Sequence, residues 1–191
     1  MPPHTKFTQD IILDEAFEIV RQESLDVLSA RRIAKELGCS TQPVYDAYAS
    51  MQELQDAVIE KAKKYALDYF SQPGDPGSTS PFLSLGLRYF QFSQEEKTLF
   101  KLLFLDGLIG ISLENFGSPF RSLLGNLKDD PRLEGLSEES LKRLGSNMWI
   151  YLHGLTALIY KNPPARAGDF IKERLMQMGK TLIEWERQQS T

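Results

Sequence analysis

The sequence is poor in the residues on which disulfide frameworks and metal centres depend. It contains one cysteine, Cys39, and two histidines, His4 and His153, among 191 residues. A single cysteine cannot form an internal disulfide, and no cluster of His, Cys and acidic residues has metal-site spacing. A glycine-rich phosphate loop and the G-x-S-x-G nucleophile motif are also missing. We therefore expect no catalytic activity and no bound metal or cofactor.

Long apolar runs are missing as well. The start, MPPHTKFTQD, lacks the apolar core of a signal peptide. The longest nearly apolar run, at 149–160, is shorter than a bilayer-spanning helix and contains His153. These features predict a cytoplasmic protein with no membrane partner. With 41% hydrophobic residues, the chain can still bury a substantial core.

Excess positive charge is the third absence. The net charge is -4, with eight basic and twelve acidic residues in positions 1–70 and fourteen of each in positions 71–191. Salt screening limits the reach of each charge to about 8 to 10 Å, so a basic face can coexist with acidic surroundings. The overall charge alone does not indicate a nucleic-acid partner.

Helix signals dominate the first seventy residues. Apolar positions recur every three or four residues from Thr8, which predicts a first helix to about Glu23. SMQE at 50–53 is a capping box and predicts a long helix to about Phe70. A second S-x-x-E sequence at 93–96 predicts another helix start.

Two short helices are predicted between the first helix and the long one. Ser29 is a candidate N-cap for a helix that ends at Gly38, the residue best suited to a left-handed helix end. Ser40 is a candidate N-cap for the next helix, with Pro43 in its first turn. Two short helices joined by a glycine turn are the helix-turn-helix arrangement, whose second helix fits the major groove of DNA. Helical hairpins of purely structural role share this pattern.

The residues near this turn have side chains that suit DNA. Gln42 matches the N6 and N7 edge of adenine, whereas Thr41 and Val44 offer methyl groups to thymine. Tyrosine hydroxyls, cationic side chains and helix N-termini suit phosphates. The predicted DNA-contacting residues are Ser29, Arg31, Arg32, Ser40, Thr41, Gln42, Val44, Tyr45, Tyr48 and Lys6.

The first sixty residues resemble the DNA-binding domain of TetR-family transcriptional regulators. The resemblance rests on Ser29, IAKELG at 33–38, Ser40, Tyr45 and SMQEL at 50–54. WIYLHGL at 149–155 is also similar to the W-x-x-x-H-G signature of one subgroup's carboxy-terminal domain. The resemblance implies a homodimer that binds a near-palindromic DNA operator and a small-molecule effector.

Three positions depart from the family pattern. Ala47 and Tyr48 stand where histidine and phenylalanine are usual, and Met51 stands where a phosphate-facing lysine is frequent. Each lost phosphate contact reduces the salt dependence of DNA binding by nearly one unit. The alternative function is therefore a helical dimeric interaction protein that has lost DNA binding.

The last fifty residues carry two apolar stripes, which predict antiparallel helices at about 138–160 and 168–188. The first helix has more apolar surface than one neighbour can cover. One explanation is a deep position within a single domain, and the favoured one is a four-helix dimer interface. The predicted interface residues are Met148, Leu152, Leu155, Ile159, Leu175, Met178, Leu182 and Trp185.

Aromatic and apolar residues of the central region, among them Phe82, Leu85 and Tyr89, could line a pocket for a hydrophobic effector. For any one of them, plain core packing is the stronger explanation. The candidate pocket residues are Phe92, Phe100, Leu103, Phe104, Met148, Tyr151 and His153.

Together these features predict an all-α protein. A helix-turn-helix DNA-binding domain, residues 1–50, is joined by a long helix at about 51–70 to an all-helical ligand-binding and dimerisation domain, residues 51–191. The expected function is that of a transcriptional repressor released from its operator by a hydrophobic small molecule.

Overall fold

A computed structural model describes residues 7–72, 80–107 and 130–189, and its regular elements within these ranges are helices. This confirms the predicted all-α class. The helices are α1 (Gln9–Gln22), α2 (Ala30–Leu37), α3 (Gln42–Ala47), α4 (Met51–Ser71), α5 (Pro81–Glu95), α6 (Lys97–Phe100), α7 (Glu138–Ile159) and α8 (Ala167–Gln189). Leu25–Val27 and Pro131–Leu133 form 3-10 turns, and Lys101–Leu105 continues α6 as a π-helical turn.

The chain divides into two compact units. Unit 1 contains the described residues up to Tyr65 and those from Glu96 to 107, whereas unit 2 contains the remainder. The division falls inside α4, between Tyr65 and Ala66. Unit 1 thus includes the first two-thirds of the long helix, together with α6 and its π-helical turn.

A buried carboxylate explains why the segment from Glu96 belongs to unit 1. Glu96 is 8% exposed and receives two hydrogen bonds from Arg21 of α1, from Nε at 2.8 Å and from Nη2 at 2.5 Å. The Tyr65 hydroxyl of α4 donates a third, at 2.8 Å. These charge-assisted bonds join α1, α4 and the start of α6.

The same contacts show why SQEE at 93–96 is not a capping box. Ser93 lies inside α5, is fully buried, and donates its hydroxyl to the Phe90 carbonyl at 2.6 Å. Because Glu96 is engaged by Arg21 and Tyr65, it is not available to cap a helix that begins at Ser93.

Electrostatics favour the charged form of Glu96. Burial by itself raises a carboxyl pKa, but the hydrogen bonds from Arg21 and Tyr65 and the charge of Arg21 outweigh burial and lower the pKa of Glu96. The reciprocal hydrogen bond to Glu96 raises the pKa of Arg21. The ion pair therefore stabilises unit 1 wherever Glu96 is ionised.

Unit 2 is built from α5, α7 and α8. Arg143, near the start of α7, pairs with the buried Glu186, near the end of α8, at 2.7 Å. This pairing confirms that the two helices are antiparallel. Gly86 of α5 permits a close approach to α8, since a Cβ at this position would lie 2.7 Å from Cδ1 of Leu175.

Replacing Glu96 by Gln should lower the free energy of unfolding by about 1 to 3 kcal/mol, because the substitution removes a buried charge partner of Arg21. The deficit should be present above about pH 4.3, the ordinary glutamate pKa. It should shrink as the pH falls through the lowered pKa of folded Glu96, because the parent then loses the same charge. Urea unfolding followed by circular dichroism measures it.

Glu60→Gln is the matched control. Glu60 pairs with Lys63 on the exposed surface of α4, with 72% of its side chain exposed. Its removal should change the free energy of unfolding by less than about 0.5 kcal/mol. Equal losses in the two variants would contradict the structural role of Glu96.

Candidate nucleic-acid interface and ligand cavity

The turn between α2 and α3 has the geometry that a helix-turn-helix requires. Ser29 caps α2 by accepting the Arg32 backbone N–H at 3.2 Å, as predicted. Gly38 ends α2 in the left-handed region, at φ 64° and ψ 38°. The Cys39 N–H donates to the Ala34 carbonyl at 2.9 Å and the Gly38 N–H to Lys35 at 3.3 Å, which is a Schellman motif.

The start of α3 differs from the prediction by one residue. Thr41, rather than Ser40, precedes the helix, and no side chain caps it. Pro43 lies in the first turn, as expected. Pro43 has no N–H, and the Val44 and Tyr45 N–H groups donate to the Thr41 carbonyl at 3.1 and 3.4 Å, so this end offers few backbone donors to an external acceptor.

Four residues form the outward face of α3. Gln42, Tyr45 and Asp46 are exposed, Tyr45 by 54%, and Thr41 is half-buried. Their spacing places them on the same side of the helix. We call Thr41, Gln42, Tyr45 and Asp46 the α3 face.

The structure corrects two of the predicted DNA contacts. Val44 is 1% exposed and Tyr48 is 4% exposed, so both belong to the core of unit 1. Burial raises the pKa of the Tyr48 hydroxyl, which hydrogen-bonds with the Gln9 side chain. These two residues hold α3 against α1 and α2 instead of reaching outward.

Arg32 is engaged within unit 1. Its guanidinium pairs with Glu23 at 2.6 Å and also with Glu36. These two partly exposed ion pairs compete with any phosphate contact of Arg32. Arg31 is exposed, and Lys6 lies outside the described residues.

Asp46 is a residue of the α3 face that the sequence-based reasoning did not assign. The Gln42 side-chain amide donates to its carboxylate at 2.8 Å. The i, i+4 spacing of the two residues was the available signal. Any contact between Gln42 and a base requires this hydrogen bond to open or to be shared.

The start of α4 confirms the predicted cap. Ser50 accepts the Glu53 N–H at 3.1 Å. Glu53 reaches back to the Ala49 N–H at 2.8 Å, one residue before the expected partner. Met51 begins α4 and is half-buried.

Unit 2 contains a partly enclosed cavity of about 70 Å³. A cavity of this volume has room for about five water-sized spheres. Helices α5, α7 and α8 and the Pro131–Leu133 turn supply its walls. The lining residues are Phe82, Leu83, Leu85, Gly86, Tyr89, Arg132, Gly145, Ser146, Met148, Trp149, Leu152, Leu175, Met176, Gly179 and Ile183.

Of the candidate pocket residues, Phe82, Leu85, Tyr89 and Met148 belong to this lining. Phe100, Leu103 and Phe104 lie in unit 1, where each is buried. Phe92 and Tyr151 are in unit 2 but outside the lining. The sequence-based reasoning therefore missed the contributions of α8 and of the Arg132 turn.

His153 stands behind the cavity wall. Its Nδ1 is 2.8 Å from the hydroxyl of Tyr89, a fully buried lining residue, and its ring stacks on Trp149. Burial lowers the pKa of His153. The histidine consequently positions Tyr89.

The predicted dimer interface also needs correction. Met148, Leu152 and Leu175 are buried within unit 2, because they form the contacts among α5, α7 and α8. Leu155, Ile159, Met178 and Leu182 are half-buried, and Trp185 is 45% exposed. Two other residues of α7, Ile150 at 55% and Leu158 at 84%, are more exposed.

Metal binding and membrane insertion have no counterpart in the part of the chain that the structure describes. No group of three or more His, Cys, Asp or Glu side chains there is arranged to hold a metal ion. No described helix combines the length and the hydropathy that crossing a bilayer requires.

Comparison with solved structures identifies the fold. A TetR-family transcriptional regulator of Streptomyces coelicolor aligns over 92% of this chain and 86% of its own, with a TM-score of 0.63 and 15% identity. A Rhodococcus protein assigned to that family aligns over 92% of this chain and 98% of its own, with a TM-score of 0.58 and 14% identity. A TetR/AcrR-family regulator of Thermobifida fusca aligns over 92% of this chain and 96% of its own, with a TM-score of 0.51 and 19% identity.

These similarities define the class as a helix-turn-helix protein with an all-helical second part. More particularly, the fold is that of TetR-family regulators. No protein-family model and no curated protein matches the sequence.

Replacing Gly38 by Ala should lower the free energy of unfolding by about 1 to 2 kcal/mol, the penalty for an L-residue in the left-handed backbone region. A Cβ at Gly38 would meet nothing within 4 Å, so the loss would come from backbone conformation alone. Thermal or urea unfolding measures the change.

Gly168→Ala is the control, since its Cβ would also meet nothing within 4 Å but the residue lies in α8 without a positive φ. This substitution should leave the free energy of unfolding unchanged or raise it by up to about 1 kcal/mol. Equal changes in the free energy of unfolding of the two variants would contradict the prediction that the backbone at position 38 requires glycine.

Proposed function

We propose that the protein is a homodimeric transcriptional regulator that binds a near-palindromic operator and releases it when a small, largely apolar molecule occupies unit 2. The outward, polar α3 face after the Gly38 turn is the observation that supports DNA binding. The likeness to the fold of TetR-family regulators supports the same proposal.

The α3 face offers a mixture of base-reading groups. The Gln42 amide can pair with adenine N6 and N7, and the Thr41 methyl can contact thymine. Asp46 can accept a hydrogen bond from cytosine N4, whereas its charge repels phosphates. The Tyr45 hydroxyl and the Arg31 guanidinium supply phosphate contacts.

Selection of random duplex DNA by the purified protein at about 100 mM salt should enrich a palindromic motif, because specific contacts then outweigh the weakened nonspecific term. Gln42→Ala should relax discrimination at particular base pairs by about 1 to 3 kcal/mol. Tyr45→Phe should weaken binding to all sequences evenly, since it removes only a phosphate contact. Gel-shift titrations against the enriched and scrambled duplexes measure both effects.

Gln52→Ala is the matched control, because Gln52 is also exposed and donates to the carboxylate four residues later, Asp56 at 2.9 Å, but lies on α4 outside the α3 face. DNA binding by the parent that neither Gln42→Ala nor Tyr45→Phe changes would contradict the groove assignment.

A dimer would cover the exposed apolar side chains of α7 and α8. Leu158, Ile150 and Trp185 are large apolar residues left open to solvent in unit 2. Two copies packed through these helices would form a four-helix arrangement and remove that surface from water.

Leu158→Arg should weaken self-association at least tenfold, because it places a charge in a desolvated contact. Val27→Arg is the matched control, since Val27 is 40% exposed but lies in unit 1. Sedimentation equilibrium measures the dimer dissociation constant of both variants. An unchanged dimer for Leu158→Arg would remove α7 from the interface.

The second candidate is a helical dimeric interaction protein without DNA binding. It is favoured by Asp46 on the α3 face and by the pairing of Arg32 with Glu23 and Glu36. The absence of any enriched duplex, even at low salt, together with retained dimerisation would favour this candidate.

A further inference from the structure

One charged side chain belongs to the described lining of the unit 2 cavity. Arg132 lies in the 3-10 turn Pro131–Leu133, and 48% of its side chain is exposed. The remaining lining is predominantly aliphatic and aromatic. A lone guanidinium on an apolar wall gives the cavity one polar end.

A buried carboxylate fixes the orientation of Arg132. The side chain of Asp130 is 0% exposed and accepts the Arg132 Nε at 3.0 Å and Nη2 at 2.7 Å. It also accepts the Arg132 backbone N–H at 3.1 Å and the Ser80 hydroxyl at 2.7 Å. These hydrogen bonds lower the pKa of Asp130, so its charge persists near neutral pH. The guanidinium is held along one edge before any ligand arrives.

The Nη1 group of Arg132 remains available. It makes no hydrogen bond to any residue that the structure describes, and a guanidinium nitrogen of this kind carries two N–H donors. An acceptor placed at Nη1 would lie on the opposite side of the guanidinium from the Asp130 hydrogen bonds. The attraction of Arg132 for an anion is therefore reduced by Asp130 without being cancelled.

A second cation lies close to this end of the cavity. Arg187 of α8 donates from Nη2 to the backbone carbonyl of Arg132 at 3.1 Å. The neighbouring carboxylate of Glu186 is paired with Arg143. Arg187 thereby helps to fix the backbone of the turn that carries Arg132.

Apart from the Ser146 hydroxyl, the rest of the described wall offers little to a polar ligand. The hydroxyl of Tyr89 is occupied by His153, and Leu152 and Leu175 present only carbon atoms. Trp149 packs its ring against Tyr89 at a centroid distance of 4.7 Å. An apolar group would be desolvated favourably against these side chains.

We propose that the cavity binds a compact amphipathic molecule whose single acidic group contacts Nη1 of Arg132 and whose apolar body packs among α5, α7 and α8. This inference names the effector class and rests on the proposed function of the cavity as the effector site. The cavity volume favours a short body of a few carbon atoms. A carboxylate and a phosphate monoester share the required chemistry, since guanidinium binds both through charge-assisted hydrogen bonds.

The test compares sodium hexanoate with hexanamide, which have similar shape but differ in charge. Each is titrated into the full chain, with tryptophan fluorescence as the readout because Trp149 lines the cavity. Hexanoate should bind about tenfold more tightly than hexanamide, a fold-change typical of one hydrogen bond to a charged group. Hexyl phosphate, as a third probe, distinguishes a preference for carboxylate from one for phosphate.

Arg132→Met alone would leave Asp130 buried and unpaired, and it could unfold the turn. The decisive variant therefore combines Asp130→Asn with Arg132→Met and removes both charges. It should bind hexanamide like the parent and lose the preference for hexanoate to within about twofold, because the charge-assisted contact is gone. Gly179→Leu should block both probes, since a side chain at Gly179 begins at the cavity wall.

Equal binding of hexanoate and hexanamide by the parent would overturn the assignment, as would failure of both probes to bind. A preference for hexanoate that survives in the double variant would also overturn it. The assay contains no DNA, so its outcome is independent of operator selection. An enriched operator together with equal probe binding would reject only the acidic effector.

Discussion

The geometry of the α3 face depends on the left-handed turn at Gly38. This residue ends α2 without a steric penalty and lets the Schellman hydrogen bonds close, so α3 leaves the turn in a defined direction. Val44 and Tyr48 then anchor α3 in the core. With those positions buried, helical periodicity brings Gln42 and Tyr45 to the surface. The polar face is thus a consequence of the turn and of two apolar anchors.

Electrostatics shape both units through carboxylates that are already paired. Glu96 is held by Arg21 and Tyr65 in unit 1, and Asp130 by Arg132 and Ser80 in unit 2. Buried carboxylates remain charged because several donors replace the lost hydration. Acidic residues therefore contribute to internal structure, and the net charge of the chain is a poor guide to the charge that a ligand or DNA encounters.

The cavity reflects a compromise between packing and open space. Gly86 brings α5 close to Leu175 of α8, while Gly145 and Gly179 leave the wall without side chains. Interiors normally fill such space, because unfilled volume forfeits dispersion contacts. A wall that combines missing side chains with one oriented guanidinium is better suited to a ligand than to a solvent-free core.

Local sequence by itself determined the all-α class, the caps at Ser29 and Ser50, the glycine end of α2 and the two antiparallel helices of unit 2. These features depend on contacts within a few residues or on a helical period, so they can be derived without the fold. Tertiary structure alone decided that Val44, Tyr48 and Met148 are buried, and that Phe100 and Phe104 belong to unit 1. It also placed Arg132 at the cavity. Each of these outcomes depends on residues distant in sequence, and a local pattern contains no information about which distant side chain will cover, pair with or face a given position.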